Sequence, residues 1–148
     1  MGVRVVVEKR IIVCGGRDYD NQKILDFALS ALTQKNDVIV NGGATGADRM
    51  AREWAKRNGR IPETHPADWS KFGKRAGPIR NRLMAWLGAD KVIAFKGGRG
   101  TMDMVRVAFE IEIPVTFVAD DAVGIFISPL TWQDVELRPN PWSRLSWQ

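Results

Sequence analysis

Short apolar runs alternate along this chain with longer segments in which apolar residues recur every three or four positions. The runs are rich in Val and Ile, as is typical of buried parallel strands, and the longer segments have the period of amphipathic helices. The predicted strands are 11–14, 38–41, 61–65, 91–95 and 115–118. The predicted helices are 21–34, 45–58, 78–87 and 101–111. The alternation predicts a doubly wound α/β fold, a mainly parallel sheet of about five strands with helices on both faces.

Pairs of glycines follow three of these predicted strands. They are Gly15-Gly16, Gly42-Gly43 and Gly97-Gly98. Glycine lets the chain turn sharply and brings bare backbone close to a ligand. The helix that follows directs unpaired N–H groups and a partial positive charge at the same place, so each junction is expected to hold an anion. Together the junctions predict a crevice at one edge of the sheet for a phosphate-bearing small molecule.

The first glycine pair is followed by three side chains that suit a nucleotide. We interpret Arg17 as a phosphate ligand, Asp18 as an acceptor for a ribose hydroxyl and Tyr19 as a ring that stacks on a base. The structural alternative is that Asp18 or Asp20 caps the first helix. The spacing is not that of the G-x-G-x-x-G dinucleotide fingerprint.

The second glycine loop, 42–48, has two interpretations. Thr45 and Asp48 match a capping box, in which both residues serve the helix alone. Capping does not explain the neighbouring glycines, which weaken a backbone unless a close approach is needed. We therefore also predict ligand contacts from this loop. The residues concerned are Gly42, Gly43, Thr45, Gly46 and Asp48.

The third glycine loop carries two cations, Lys96 and Arg99, and Thr101 is the predicted N-cap of the helix that follows. Arginine can hold a phosphate through two hydrogen bonds, whereas lysine acts as a point charge. The alternative is a solvated turn with basic tips, and the sequence is not a Walker A loop. The predicted ligand contacts are Gly97, Gly98, Arg99, Gly100 and Thr101.

Three further candidates lie between residues 66 and 82. Trp69, in a segment 66–77 expected to be irregular, is a second choice for stacking on a base. Arg80 is assigned to a phosphate, and because Arg82 points in a different direction on the same helix, one of the two is expected at the surface. Asn81 is a poor residue for a helix interior and predicts a specific polar contact.

Composition narrows the choice of partner. A net charge of +5 and a pI near 9.7 favour anionic partners, from nucleotides to nucleic acid. No apolar run approaches the roughly 20 residues of a membrane span, so no membrane partner is predicted. Cys14 is the only cysteine and His65 the only histidine; we assign both to structural roles, expect no metal and no cofactor, and expect a reducing, cytoplasmic location.

Periodicity fades from Asp120 onward. This segment carries three of the six tryptophans of the chain, Trp132, Trp142 and Trp147, and their indoles need a place to be buried. We therefore divide the chain into a ligand-binding domain, 1–119, and an extension, 120–148, that packs on its own domain or on a second copy.

Four motifs in order resemble the SLOG superfamily, and more narrowly its YspA/YpsA-related branch. They are Gly-Gly-Arg-Asp-Tyr, Gly-Gly-Ala-Thr-Gly-Ala-Asp, Pro66-Ala67-Asp68-Trp69 and Ala76-Gly77-Pro78-Ile79-Arg80-Asn81. The resemblance covers about residues 10–118. It implies a Rossmann-like fold that binds nucleotides or their derivatives, often as a homodimer. The superfamily also includes LOG-type phosphoribohydrolases and DprA-type DNA-processing proteins.

The resemblance to LOG-type enzymes covers the binding half of their site. Arg80 and Met84 match an arginine and a methionine of their helix motif, with Asn81 in place of a lysine, and the third glycine loop matches their glycine-rich loop. Lys96 replaces a proline, and Met104 stands where the catalytic glutamate is expected. A methionine cannot exchange a proton or stabilise a developing positive charge as a carboxylate does.

We therefore expect a non-enzymatic protein that senses or sequesters a nucleotide-derived small molecule, ADP-ribose-like or a cyclic nucleotide, and that forms a dimer or higher homo-oligomer. One alternative is an N-glycosidase or nucleotide hydrolase in which Asp48 or Asp103 supplies the missing acid. The other alternative is DprA-like binding of single-stranded nucleic acid.

Overall fold

The computed structural model describes residues 8–120, 125–127 and 131–147. The strands are β1 Arg10–Cys14, β2 Val38–Asn41, β3 Ile61–Thr64, β4 Lys91–Ala94, β5 Val115–Val118 and β6 Ile125–Ile127. The helices are α1 Gln22–Leu32, α2 Ala47–Arg57, α3 Trp69–Phe72, α4 Ala76–Trp86, α5 Arg99–Glu110 and α6 Trp132–Glu136. Short 3-10 helices cover Gly73–Arg75 and Arg144–Trp147. None of the helices in these ranges combines the length and the apolar composition needed to cross a bilayer.

The strands form one sheet in the order β3-β2-β1-β4-β5-β6. The first five are parallel, which confirms the predicted doubly wound fold, and β6 pairs antiparallel with β5. β6 lies in the extension, where no strand was predicted. The chain builds the sheet outward in one direction from β1 to β3, then crosses back to place β4 on the other side of β1. In folds of this kind such a switch point opens a crevice at the carboxyl ends of the strands.

Alternate residues of the central strands face opposite layers of helices, because successive side chains of a strand point to opposite faces. Ile11 and Ile39 pack in one cluster with residues of α1 and α2, and Trp54 of α2 is 2% exposed there. Ile12 and Val92 pack in a second cluster with residues of α4 and α5. The unbroken Val/Ile runs are explained by this burial on both faces.

The predicted irregular segment 66–77 is instead largely helical. It contains α3 and a 3-10 turn, and α4 begins at Ala76 rather than at Pro78. Asp68 starts α3, because its side-chain oxygen accepts a hydrogen bond from the Lys71 N–H at 3.1 Å. This local capping contact organises a segment whose apolar pattern is too short to show a helical period.

The segment 131–147 packs on the sheet of its own chain. Trp142 is 3% exposed, meets Phe117 edge-on at 5.7 Å and donates its indole N–H to the Ala94 carbonyl at 2.8 Å. The indole N–H of Trp147 is donated to the Pro141 carbonyl at 2.8 Å. The segment therefore lies against the ends of β4 and β5.

Candidate functional site

The three glycine loops meet at the carboxyl edge of the sheet, because β2, β1 and β4 are neighbours. The Gly16 N–H is donated to the Lys96 carbonyl at 2.9 Å, and the Ala47 N–H to the Gly16 carbonyl at 3.1 Å. A cleft of about 1060 Å³ opens beside them. The predicted site residues that line it are Gly15, Gly16, Arg17, Asp18, Tyr19, Gly42, Asp48, Trp69, Arg80, Asn81, Gly97, Gly98, Arg99, Gly100 and Thr101. Gly43, Thr45 and Gly46 do not line it.

Most glycines of these loops lie where a Cβ would crowd a neighbouring part of the chain. Gly46 has a φ of +72°, and a Cβ there would overlap the Gly16 carbonyl oxygen. A Cβ at Gly42 would overlap the Arg80 guanidinium. Gly98 and Gly100 differ, because a Cβ at either position would meet nothing within 4 Å. At those two positions the chain borders open space.

The N-termini of α1 and α2 are closed by the protein's own groups. Asn21 caps α1 by accepting a hydrogen bond from the Ile24 N–H at 3.2 Å, so the expectation of an aspartate cap is wrong. The N-cap of α2 is Gly46, so the predicted capping box is wrong as well. The hydroxyl of Thr45 is instead donated to the Arg17 carbonyl at 3.2 Å. The expectation that every junction offers an open anion site therefore fails at these two helices.

The N-terminus of α5 is open. Its N-cap is Gly98 and not Thr101, and no side chain of the described residues caps it. The first helical hydrogen bond runs from the Met102 N–H to the Gly98 carbonyl at 3.0 Å, so the N–H groups of the first turn have no partner within the helix. A helix of 12 residues whose unpaired donors face a cleft is a ready site for an anion.

Arg80 and Asn81 hold the walls of the cleft together. Arg80 donates through Nη1 to the carbonyls of Gly42 and His65, the second at 3.2 Å, and burial lowers its pKa. Asn81 is 3% exposed and donates to Asp103 at 2.9 Å and to the Gly100 carbonyl at 3.2 Å. The specific polar contact expected of Asn81 is therefore made to the first turn of α5. Arg82 is at the surface, as expected for one of the two arginines.

The two carboxylates offered as replacement acids have different surroundings. Asp103 accepts hydrogen bonds from Asn81 and, at 2.9 Å, from Arg106, so both of its oxygens are occupied. Asp48 is 6% exposed and accepts the Ala44 N–H at 3.2 Å. Burial raises the pKa of Asp48, although Arg80 and that N–H act in the opposite direction. Asp48 is therefore the better candidate for a proton donor.

The raised pKa of Asp48 predicts a pH-dependent stability. The folded state holds this proton more tightly than the unfolded chain, so the contribution of Asp48 to folding falls as pH rises above its ordinary value of 3.8. Asp48→Asn keeps an oxygen for the Ala44 N–H and cannot ionise. We expect this variant to melt a few degrees above the wild type at pH 7, with the difference vanishing near pH 3. Circular-dichroism melting from pH 3 to pH 8 measures it, and a difference that grows on acidification would contradict it.

Two aromatic rings line the cleft and differ in how much of their surface is exposed. Tyr19 packs on Phe95 with the ring centroids 5.2 Å apart, and burial raises its pKa to about 12. Trp69 is 47% exposed, and the Arg17 guanidinium lies 5.2 Å from the centroid of its ring. Trp69 therefore offers more free ring surface for a base than Tyr19 does.

Asp120 and Lys74 also line the cleft and were not among the predicted site residues. Asp120 follows β5 directly and pairs with Lys96 at 3.1 Å. The rule that located the glycine loops, that parallel strands end at one edge, would have found it at the end of β5. Lys74 gave no local signal beyond its charge. Among the described residues no group of three His, Cys, Asp or Glu side chains is placed to hold a metal ion.

Beneath the loops lie two sulfur-containing side chains. Cys14 is buried and burial raises its pKa, which keeps it a thiol. Met104, in the position of the LOG-type glutamate, is 1% exposed and lines the cleft. A side chain without ionisable groups therefore lies where the resemblance places the catalytic carboxylate.

Comparison with known proteins agrees with this architecture. The chain is 37% identical over 122 residues to the Gene 61 protein of Mycobacterium phage D29, an alignment that covers 76% of this chain and 98% of that protein. Residues 9–72 match the YspA, cpYpsA-related SLOG family, YAcAr. The chain belongs to this family. The match ends within α3, so the remaining walls of the cleft, from α4 and α5, lie outside the matched residues.

A solved structure shares the fold of this SLOG protein. It is described as "Structural insights into the unique single-stranded DNA binding mode of DNA processing protein A from Helicobacter pylori". The TM-score is 0.55 at 22% sequence identity, and the match covers 72% of this chain and 63% of that one. The chain therefore spans less than two thirds of that structure, and the likeness is one of fold.

Proposed function

We propose that the protein binds a nucleotide-derived small molecule in the cleft, with a phosphate group at the N-terminus of α5. The observation that carries this proposal is the open first turn of α5, which lacks a cap and has open space beside Gly98 and Gly100. A phosphate there would accept main-chain N–H groups and lie in the favourable end of the helix dipole.

Cations around this turn support a phosphate as the ligand group. Arg99 is exposed in the first turn, and Arg17 lies across the cleft on Trp69. Lys96 is held beside the loop by Asp120. An arginine that already stacks on an indole can keep that contact while it pairs with an anion, because the stacking uses the guanidinium face and the pairing its edge.

The remaining groups suit the sugar and the base. The cleft has as many carboxylates as cations, which is unusual for a site that binds phosphate alone. Two of the carboxylates, Asp18 and Asp20, are exposed and can accept hydrogen bonds from ribose hydroxyls. Trp69 offers a ring face to the base. An ADP-ribose-like molecule or a cyclic nucleotide carries all three kinds of group.

The experiment is calorimetry with ADP-ribose, NAD, AMP and cyclic nucleotides on the wild type and on Gly100→Asp. An aspartate in the first turn of a helix favours folding but repels a bound phosphate, and a Cβ at Gly100 would meet nothing within 4 Å. We expect at least about a tenfold loss of affinity in Gly100→Asp and little change in Gly100→Ala. The affinity for adenosine, which has no phosphate, should differ little between the wild type and the two variants. Absence of any binding tighter than high micromolar would refute the proposal.

Hydrolysis of the same ligand is a second candidate, favoured by the buried carboxyl of Asp48. An acid whose pKa is raised by burial can donate a proton at a pH where an ordinary aspartate cannot. Chromatography of NAD and nucleoside monophosphates after incubation tests it through release of the base. Release of the base by the wild type that is lost in Asp48→Asn would support hydrolysis. Absence of release by the wild type would contradict hydrolysis, and binding would be the only proposed function.

A further inference from the structure

A row of apolar side chains lies exposed along the outer face of α4. Its members, here called the α4 row, are Ile79, Leu83, Trp86 and Leu87, exposed by 39%, 50%, 80% and 51%. Their spacing of four, three and one residues places them on one stripe of the helix. The opposite face of α4 buries Met84 and Ala85. Single exposed apolar residues are ordinary, but a continuous row marks a surface that binds something.

The same part of the chain has a large excess of positive over negative charge. Residues 66–87 contain five cations and one carboxylate, so they hold +4 of the net +5. Four of these cations are exposed and form no salt bridge within the described part of the chain: Lys71, Lys74, Arg75 and Arg82. Lys74 lines the cleft, so Lys71, Arg75 and Arg82 are the cations that remain for a partner outside it. Arg82 lies on α4 one residue before Leu83, at the border of the α4 row.

We propose that the α4 row docks an acidic, amphipathic segment of another protein. Such a segment would place apolar side chains on the row and carboxylates against the surrounding lysines and arginines. The proposal concerns the outer face of α4 and does not depend on what the cleft binds.

The charge of the surface argues against the two other occupants. A second copy docked through the same face would bring two strongly positive surfaces together, and this repulsion is costly. Single-stranded nucleic acid would satisfy the charge, but it binds through stacking on aromatic rings. Within the row only Trp86 offers such a ring, and the aliphatic side chains of Ile79, Leu83 and Leu87 would stay exposed to water.

The test is a selection of phage-displayed random dodecapeptides on the wild-type protein. The tightest peptide is then synthesised and its binding measured by fluorescence anisotropy. We expect selected peptides that combine Asp or Glu with Leu, Phe or Trp. Leu83→Ser with Trp86→Ser, and separately Arg82→Glu, should each weaken binding by at least about tenfold.

Matched controls separate a specific surface from general stickiness. Leu137→Ser removes an apolar side chain that is 81% exposed elsewhere, and Lys23→Glu reverses an exposed charge on α1. Both controls should bind the peptide as the wild type does, and unchanged melting curves should show that every variant folds.

Four results would overturn the proposal. Selected peptides without acidic residues, or peptides whose binding ignores the α4 substitutions, would show that the surface lacks the proposed specificity. A dimer in analytical ultracentrifugation that Leu83→Ser with Trp86→Ser dissociates would assign the row to a second copy. Binding of oligothymidylate that falls steeply with salt and is lost in the same variant would assign it to nucleic acid.

Discussion

Gly46→Ala is expected to remove about 3–5 kcal/mol from the free energy of unfolding. Two costs add at this position. The φ of +72° disfavours any residue with a Cβ, and that Cβ would overlap the backbone of Gly16 and Arg17, which cannot rotate away as a side chain can. Because a domain of this kind is stable by about 5–15 kcal/mol, the loss is a large fraction of the total. Urea denaturation measures it.

Gly59→Ala is the control for this prediction. Gly59 has a similar φ of +66°, but a Cβ there would meet nothing within 4 Å. Its alanine variant carries the conformational cost alone, about 1–2 kcal/mol. The difference between the two variants measures how tightly the first and second glycine loops pack. Equal losses would show that the loops do not press on each other in solution.

Trp142→Ala is expected to remove about 3–5 kcal/mol, the usual cost of emptying a site that a large aromatic side chain filled. The indole is almost fully buried against Phe117, and its loss also leaves the Ala94 carbonyl without its 2.8 Å partner. Thermal and urea unfolding report the change. A loss below about 1 kcal/mol would contradict the packing of the 131–147 segment described above.

Trp142→Phe separates packing from hydrogen bonding. It keeps a ring beside Phe117 and removes only the N–H that holds the Ala94 carbonyl at the end of β4. Trp147→Phe loses a bond of the same length whose acceptor, the Pro141 carbonyl, lies within the segment 131–147 and not on a strand. Where a ligand of the cleft is found, Trp142→Phe should weaken its binding more than Trp147→Phe does. An equal loss of ligand affinity in the two variants would show that the segment 131–147 does not position the third glycine loop.

The parallel sheet could be predicted because burial on both faces forces each strand into an unbroken apolar run. The residues at which the helices begin could not be predicted in the same way. Thr45 and Asp48 have the spacing of a capping box, but the Gly16 carbonyl takes the Ala47 N–H, and that carbonyl arrives from a loop some thirty residues earlier. A capping motif is recognised from residues close together in sequence, whereas the N–H group at the start of α2 is hydrogen-bonded by a residue that is distant in sequence and close in space.

Burial of the tryptophans in the extension was expected, but its short elements β6 and α6 were not predicted, for a related reason. Trp142 is buried by Phe117 and Ala94, which lie outside the segment, so its surroundings leave no periodic pattern within it. The edge of the sheet at which the glycine loops meet could be predicted, since the five parallel strands end at the same edge whatever starts the next helix. Within the site, the sequence could not show that α5 begins at Gly98 without a side-chain cap, because Thr101 and Gly98 are equally plausible starts.

The mutual packing of the glycine loops restricts how this site can be redesigned. Gly15, Gly46 and Gly97 each leave no room for a methyl group, and at Gly16 a Cβ would lie 3.0 Å from the Lys96 carbonyl oxygen, so an exchange at any of them shifts a neighbouring group. An engineer who wants a different ligand has two tolerant places to work, the open turn at 98–100 and the outer wall around Trp69. For the proposed ligand, we therefore expect selectivity to change through substitutions at 98–100 and around Trp69, whereas the packed glycine loops have to stay as they are.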